Sequence, residues 1–336
     1  MTAAVAHKLL AIMLTVALGW LATQRGWLGP AGDADRPGNG PARVLGNAAF
    51  YLFVPALLFR TMARLDLAAL PWRTLAAYFV PAIAMLLAYY AWQVWRWRAR
   101  AAAAPATPAT AAAAATRTVA AIYGNGVQLG IPLAAALYGE AGLALHIALV
   151  SVHGVLLLSL LTVLVEADLA RADPAATHAD ALRSTLRNAV MHPVVLPALA
   201  GGAWNLTGWG LHPVADEALA GLGGAAVPLC LVLIGVSLAS YGLRGSLRGT
   251  VSVALFKLFA LPAAVLLVAH WGFGLAGVPL GVLVMMAALP VGTNALIFAQ
   301  RYESMQAEAS TAIVLSTVAF GFTVTLWLAV LGALAP

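Results

Sequence analysis

Charge is what this sequence most lacks. Of its 336 residues only 9% are Asp, Glu, Lys or Arg, where a soluble globular chain has about 25%. Hydrophobic residues make up 62%, and the mean hydropathy is +0.91. So few charges cannot clothe a water-facing surface, which excludes a pair of ordinary soluble domains. Cysteine is almost missing too: Cys230 stands alone, so no intramolecular disulfide exists. All twelve acidic residues fall outside the interiors of the apolar stretches, which leaves no intramembrane carboxylate of the kind that carries protons in many antiporters. There is no P-loop, no His-Glu-x-x-His and no Asp-rich metal motif. An embedded enzyme, a metal centre and a cofactor are therefore not expected. The net charge of +6 and pI near 9.8 would suggest nucleic acid in a soluble protein. In so apolar a chain they point to Lys and Arg at cytoplasmic helix ends facing anionic lipid, with no nucleic-acid partner.

What is present is a series of apolar blocks of roughly 20 residues, the length that crosses about 30 Å of hydrocarbon. Ten spans are expected, at about 5–24, 42–63, 72–96, 117–138, 141–165, 186–207, 215–240, 248–271, 276–301 and 307–334. The first resembles a signal peptide, but with nine spans following it is taken as a helix. The connections are too short for a further domain, so the chain is one membrane domain. Residues 99–117, rich in Ala, Pro and Thr, are expected to be a linker because of Pro105 and Pro108. Alternate connections hold thirteen Lys and Arg against four on the opposite side, which places both termini outside.

Five helices are used twice. Pro55 in the second span answers Pro228 in the seventh at a shift of 173, and Pro81 answers Pro262 at 181. Asn125 falls against Pro290, and Ser151 against Ser316, both at 165. An odd number of helices per repeat makes the halves, 1–165 and 166–336, enter the membrane from opposite sides. That inverted repeat is a common plan of secondary transporters. The expected fold class is thus an all-α polytopic membrane protein of ten transmembrane helices in a five-plus-five inverted repeat.

The fourth and ninth spans carry the polar chemistry. The fourth holds Gly124, Asn125, Gly126, Gln128, Gly130 and Pro132; the ninth holds Pro290, Gly292, Thr293 and Asn294. Glycine does not hold a helix, and proline lacks the donor for the carbonyl four residues back. Both helices should open near the midplane, where freed backbone groups are tolerated only against protein or a wet cavity. Their half-helix N-termini would aim positive partial charge into that cavity, which suits a small anion. Lys257 is the one charge well inside a span, about 13 Å from Arg248 at ~1.5 Å per residue. It is a candidate counter-charge for substrate, or a stand-in for a coupling cation. His146 and His153 share a face of the fifth span. His153, Ser151 and Ser316 are candidates for supporting or coupling roles, and no set of residues suits a metal.

Four segments carry a family resemblance: NAAFYLFVPALLF at 47–59, YGNGVQLGIPL at 123–133, AAVPLCLVLIGVSLA at 225–239 and ALPVGTNALIFA at 288–299. They resemble the auxin efflux carrier family, which includes plant auxin exporters and bacterial carriers associated with malonate and malate. The resemblance covers essentially the whole chain. It implies that helices four and nine cross at their breaks with substrate bound there, and that a scaffold bundle and a transport bundle move relative to each other, often in a homodimer. By motif, Asn125, Pro132, Pro290 and Asn294 become the crossover residues, and Pro55 and Pro228 the matching prolines of supporting helices. The long hydrophilic loop of some plant members is missing. The expected function is carriage of a small organic anion across a bilayer, for a bacterial member the inner membrane. A sodium-coupled symporter of a small solute and an anion-binding membrane sensor are the alternatives.

Overall fold

The computed structural model describes residues 3–29, 40–64, 71–101, 108–171, 183, 187, 190–191, 193, 195–241 and 247–334. Among them the regular structure is helical, apart from one isolated β bridge between Gly124 and Val291. Helix α1 spans Ala3–Gln24, α2 Pro41–Ala63, α3 Trp72–Ala101 and α4 Pro108–Ile122. After a break, the wide π turn Gly126–Gly130 leads into α5, Ile131–Arg171, which bends at Gly139, where φ is 64°. Then come α6 (Val195–Leu206), α7 (Pro213–Tyr241), α8 (Leu247–Gly272), α9 (Gly277–Ala288), α10 (Asn294–Arg301) and α11 (Gln306–Ala333).

Six helices of the described residues are long and apolar enough to cross a bilayer: Pro41–Ala63, Trp72–Trp97, Leu133–Arg171, Pro213–Ser240, Leu247–Gly272 and Gln306–Ala333. The stretches expected as the fourth and ninth spans are divided. Helix α4 has 15 residues and α9 has 12, too few to cross alone, because each stops where glycine, proline and amide residues interrupt its hydrogen bonds. The expected linker at 99–117 needs correcting. Helix α3 continues to Ala101 and α4 already begins at Pro108. Proline is well tolerated in the first helical turn, and the alanines after it are the strongest helix formers. Only 102–107 stay between the two helices, and they lie outside the described residues.

Prolines shape the long helices. Five-residue π turns at Ala49–Phe53 in α2 and Phe256–Ala260 in α8 stand just before Pro55 and Pro262. A proline ring crowds the carbonyl four residues back, and a wider turn relieves it. Pro81 and Pro228 sit within α3 and α7.

Helices α1, α2, α6 and α7 pack on one another, and so do α3, α4, α5, α8, α9 and α11. In the first group α1 and α7 meet backbone to backbone. A Cβ at Gly19 would lie 2.2 Å from the Val232 carbonyl oxygen, and one at Gly235 only 1.9 Å from that of Val16. Such small-residue seams are how helices approach in lipid. In the second group α9 is buried from Leu280 to Ala288. Arg60 and Arg64, near the end of α2, reach Asp216 at 2.8 and 2.6 Å, and Arg117, inside α4, holds Glu308 at the start of α11 with two bonds of 2.7 and 2.9 Å. Trp27, Trp72, Trp95, Trp209 and Trp271 are exposed near helix ends, where an amphipathic ring favours the membrane interface.

Candidate functional site

The two interrupted helices meet at their breaks. Helix α4 ends at Ile122 and α9 at Ala288, and the chains beyond them run antiparallel past each other. The Asn125 N–H donates to the Pro290 carbonyl at 2.9 Å, and the Gly292 N–H to the Tyr123 carbonyl at 2.8 Å. Each break thus supplies the partners that the other lost, as backbone in hydrocarbon requires. The approach is so close that a Cβ at Gly292 would stand 2.7 Å from the Gly124 carbonyl oxygen.

Side chains complete the accounts. In an unbroken helix the Val291 N–H would bond to the Ala287 carbonyl. Here it donates instead to Ser316 Oγ on α11 at 3.0 Å, and the Ala287 carbonyl accepts from Lys257 Nζ on α8. His146 Nε2 on α5 donates to the Gly126 carbonyl at 2.8 Å. These contacts hold the crossing from three neighbouring helices.

On one side of the crossing lies a cavity of about 50 Å³. Asn125, Gly126, Thr293, Asn294 and His153 line it, together with Tyr123, and α2 and α7 close it through Val54, Leu57, Ala226 and Cys230. The first residues of both half-helices, Gly126–Val127 and Asn294, stand in its wall, so two positive helix ends converge there. Among the described residues no carboxylate, Lys or Arg lines it. Two polar atoms have no protein partner, Asn125 Oδ1 and His153 Nε2, on side chains that are each only 2% exposed. A buried polar atom left unpaired is costly and marks a place where something else binds. The volume suits a few water molecules, each needing roughly 10–15 Å³ of such space.

The residues singled out in the sequence are therefore placed in three ways. Asn125, Gly126, Thr293, Asn294 and His153 meet at the cavity. Pro290, Gly292, Ser316 and Lys257 build or brace the crossing behind it, while Gly130 packs against His146. Ser151 is not in this group: its hydroxyl turns back to the Ile147 carbonyl of its own helix at 2.8 Å. Pro55 and Pro228 shape α2 and α7, and Pro228 is exposed. Gln128 and Pro132 lie on the turn and helix that leave the break; their side chains are outside the described set. Sequence reasoning passes over Tyr123 and Cys230 as site residues, and it names His146 without giving it a place at the crossing. Tyr123 and Cys230 had weak signals, one directly before the first break and the other two residues after Pro228.

A family model described as a membrane transport protein matches residues 4–328. The chain belongs to the auxin efflux carrier family of membrane transport proteins. The match spans both breaks and every helix that lines the cavity, so the crossing lies inside the part that defines the family. Family members are transporters and not enzymes, in keeping with the lack of any catalytic motif. No curated protein matches the chain.

Proposed function

We propose that this family member is a secondary carrier or uniporter of small organic anions, in the class of malonate, malate or auxin-like acids, working by alternating access around the crossing. The observation that carries this reading is the cavity wall: two half-helix N-termini, no fixed negative charge among the described residues, and the unpartnered Asn125 Oδ1 and His153 Nε2. Helix N-termini and an imidazole N–H suit a carboxylate. The amide oxygen of Asn125 asks for a donor, which a hydroxy acid or half-protonated dicarboxylic acid brings along with its carboxylate. The substrate set centres on Asn125, Gly126, Thr293 and Asn294, with Gln128, Gly130, Pro132, Pro290 and Gly292 forming the interrupted backbone that presents them.

Counting each interrupted helix with its continuation as one span, and dividing α5 at its Gly139 bend, gives ten, in two five-helix halves at 1–165 and 166–336. The matched proline positions and the antiparallel crossing support the inverted arrangement. In this reading α1, α2, α6 and α7 are the scaffold, and the other helices carry the site past it. The cavity as it stands is too tight for a dicarboxylate, so it belongs to a closed stage of the cycle. Both termini outside and a homodimer in a bacterial inner membrane complete the proposal.

Uptake of radiolabelled mono- and dicarboxylates into proteoliposomes tests it. The Asn125→Ala, Asn294→Ala double variant should lose uptake while remaining folded by size-exclusion profile. Undiminished uptake by that variant sinks the site assignment. Saturable stabilisation by a carboxylate with no flux in liposomes would favour a membrane sensor instead.

A further inference from the structure

Lys257 does not line the cavity. It lies across the crossing from it, in the π turn Phe256–Ala260, wholly buried, with its ammonium on the Ala287 carbonyl. Gly124 sits alongside, so close that a Cβ there would come within 3.2 Å of Nζ. Lys257 and Ser316 between them take up the two halves of one helical bond, Val291 to Ala287, that the break at Pro290 forfeits. That need explains a donor but not a charge, for on the other half a serine hydroxyl suffices.

Among the described residues every ion pair involves other groups, and no carboxylate pairs with Lys257. The partner shown for the ammonium is instead a backbone carbonyl, that of Ala287. Helix α9 ends at Ala288, one residue past the carbonyl that Lys257 holds, and α4 ends at Ile122, two residues before Gly124. Two helix C-termini therefore point their negative ends at this spot, while the two N-termini that follow the breaks face the cavity opposite. Convergent carbonyls at half-helix C-termini are the ligands by which transporters hold a monovalent cation. The crossing is bipolar, and its cation pole is filled by a side chain.

We propose that Lys257 is the tethered occupant of the cation position at this crossing, so that the protein binds and moves its substrate without sodium. This rests on the proposed anion carriage and adds a consequence to it. A cation fixed to the chain is never released with the substrate, so each transported anion moves net negative charge.

The test compares melting of detergent-purified wild type, Lys257→Ala and Lys257→Met in sodium chloride against choline chloride, and anion uptake by each in proteoliposomes. Wild type should melt alike in both salts. Lys257→Ala leaves an empty space beside the Ala287 carbonyl; it should melt lower in choline and recover saturably with sodium, by roughly 5 °C. Lys257→Met fills the space without charge and should stay low in both salts, with uptake at least tenfold reduced. A saturable sodium-specific rise in wild type would overturn the proposal without any variant. So would a folded Lys257→Ala protein indifferent to sodium, or wild-type uptake by Lys257→Met. If wild type carries no anion at all, the proposed function fails, and the salt comparison still decides the role of Lys257.

Discussion

At the scale of single residues, the crossing tolerates very little. A Cβ at Gly292 would meet the Gly124 carbonyl first and the Tyr123 ring next, and a carbonyl held between two reciprocal hydrogen bonds cannot turn aside. Gly292→Ala should therefore cost about 2–3 kcal/mol of stability and abolish uptake, read by thermal unfolding and proteoliposome flux. Ser316→Ala strands the Val291 N–H in a dry interior. Leaving a buried donor unpaired costs about 1–3 kcal/mol, so this variant should melt measurably lower while its cavity wall is unchanged. Replacing Ser151, its partner in the sequence repeat, should do much less, because that hydroxyl only doubles a bond within its own helix. The repeat made the two serines look equivalent. The difference comes from what faces each, which the pattern of one helix does not contain.

Among the helices, the interruptions were the most legible feature of the chain. Glycine, proline and amide residues crowded into two apolar stretches say where helix hydrogen bonds fail, and failed bonds inside a membrane must find partners. Sequence could not say which partners. That His146 takes the Gly126 carbonyl and Lys257 the Ala287 carbonyl depends on packing between helices distant in the chain. The cavity walls from α2 and α7 were hidden for another reason: Val54, Leu57 and Ala226 are apolar residues like those that face lipid. The start of α4 was missed because Pro108 was weighed as a breaker when it occupies a first turn. Helix α4 also carries a testable anchor nearer its other end. Arg117 grips Glu308 at the start of α11 with side-chain exposures of 23% and 6%. Glu308→Gln would leave a mostly buried guanidinium without its counter-charge. Broken buried pairs cost about 3–5 kcal/mol, and the partial exposure of Arg117 lowers the expectation to about 2 kcal/mol in thermal unfolding.

For the molecule as a whole, the question is how the cavity opens. On one side of it α2 leans on the end of α10. Arg43 pairs with Glu303, and the Arg301 guanidinium lies 5.7 Å from the Phe50 ring centre and 5.9 Å from that of Tyr51. The sole cysteine, Cys230, stands in the cavity wall at 3% exposure, so its thiol is a built-in reporter of opening. A bound carboxylate should slow its labelling by a maleimide. Arg43→Glu, which turns an exposed attraction into repulsion, should speed labelling by about two- to fivefold, since such pairs are worth up to ~1 kcal/mol. Unchanged labelling in both cases would mean that access does not run past α2.

The seam between α1 and α7 has a consequence at the level of the gene. Every single-base change that turns a glycine codon into that of another amino acid adds a side chain, and at Gly19 and Gly235 the first added atom meets a neighbouring helix backbone. A library of all codons at these two positions, selected for uptake, should return glycine almost alone. At Gly221 and Gly224 on the same helix α7, where a Cβ would meet nothing within 4 Å, alanine and serine should survive. The tolerance of α7 to mutation should thus change sharply along its length, marking the stretch where two helices are inherited as one.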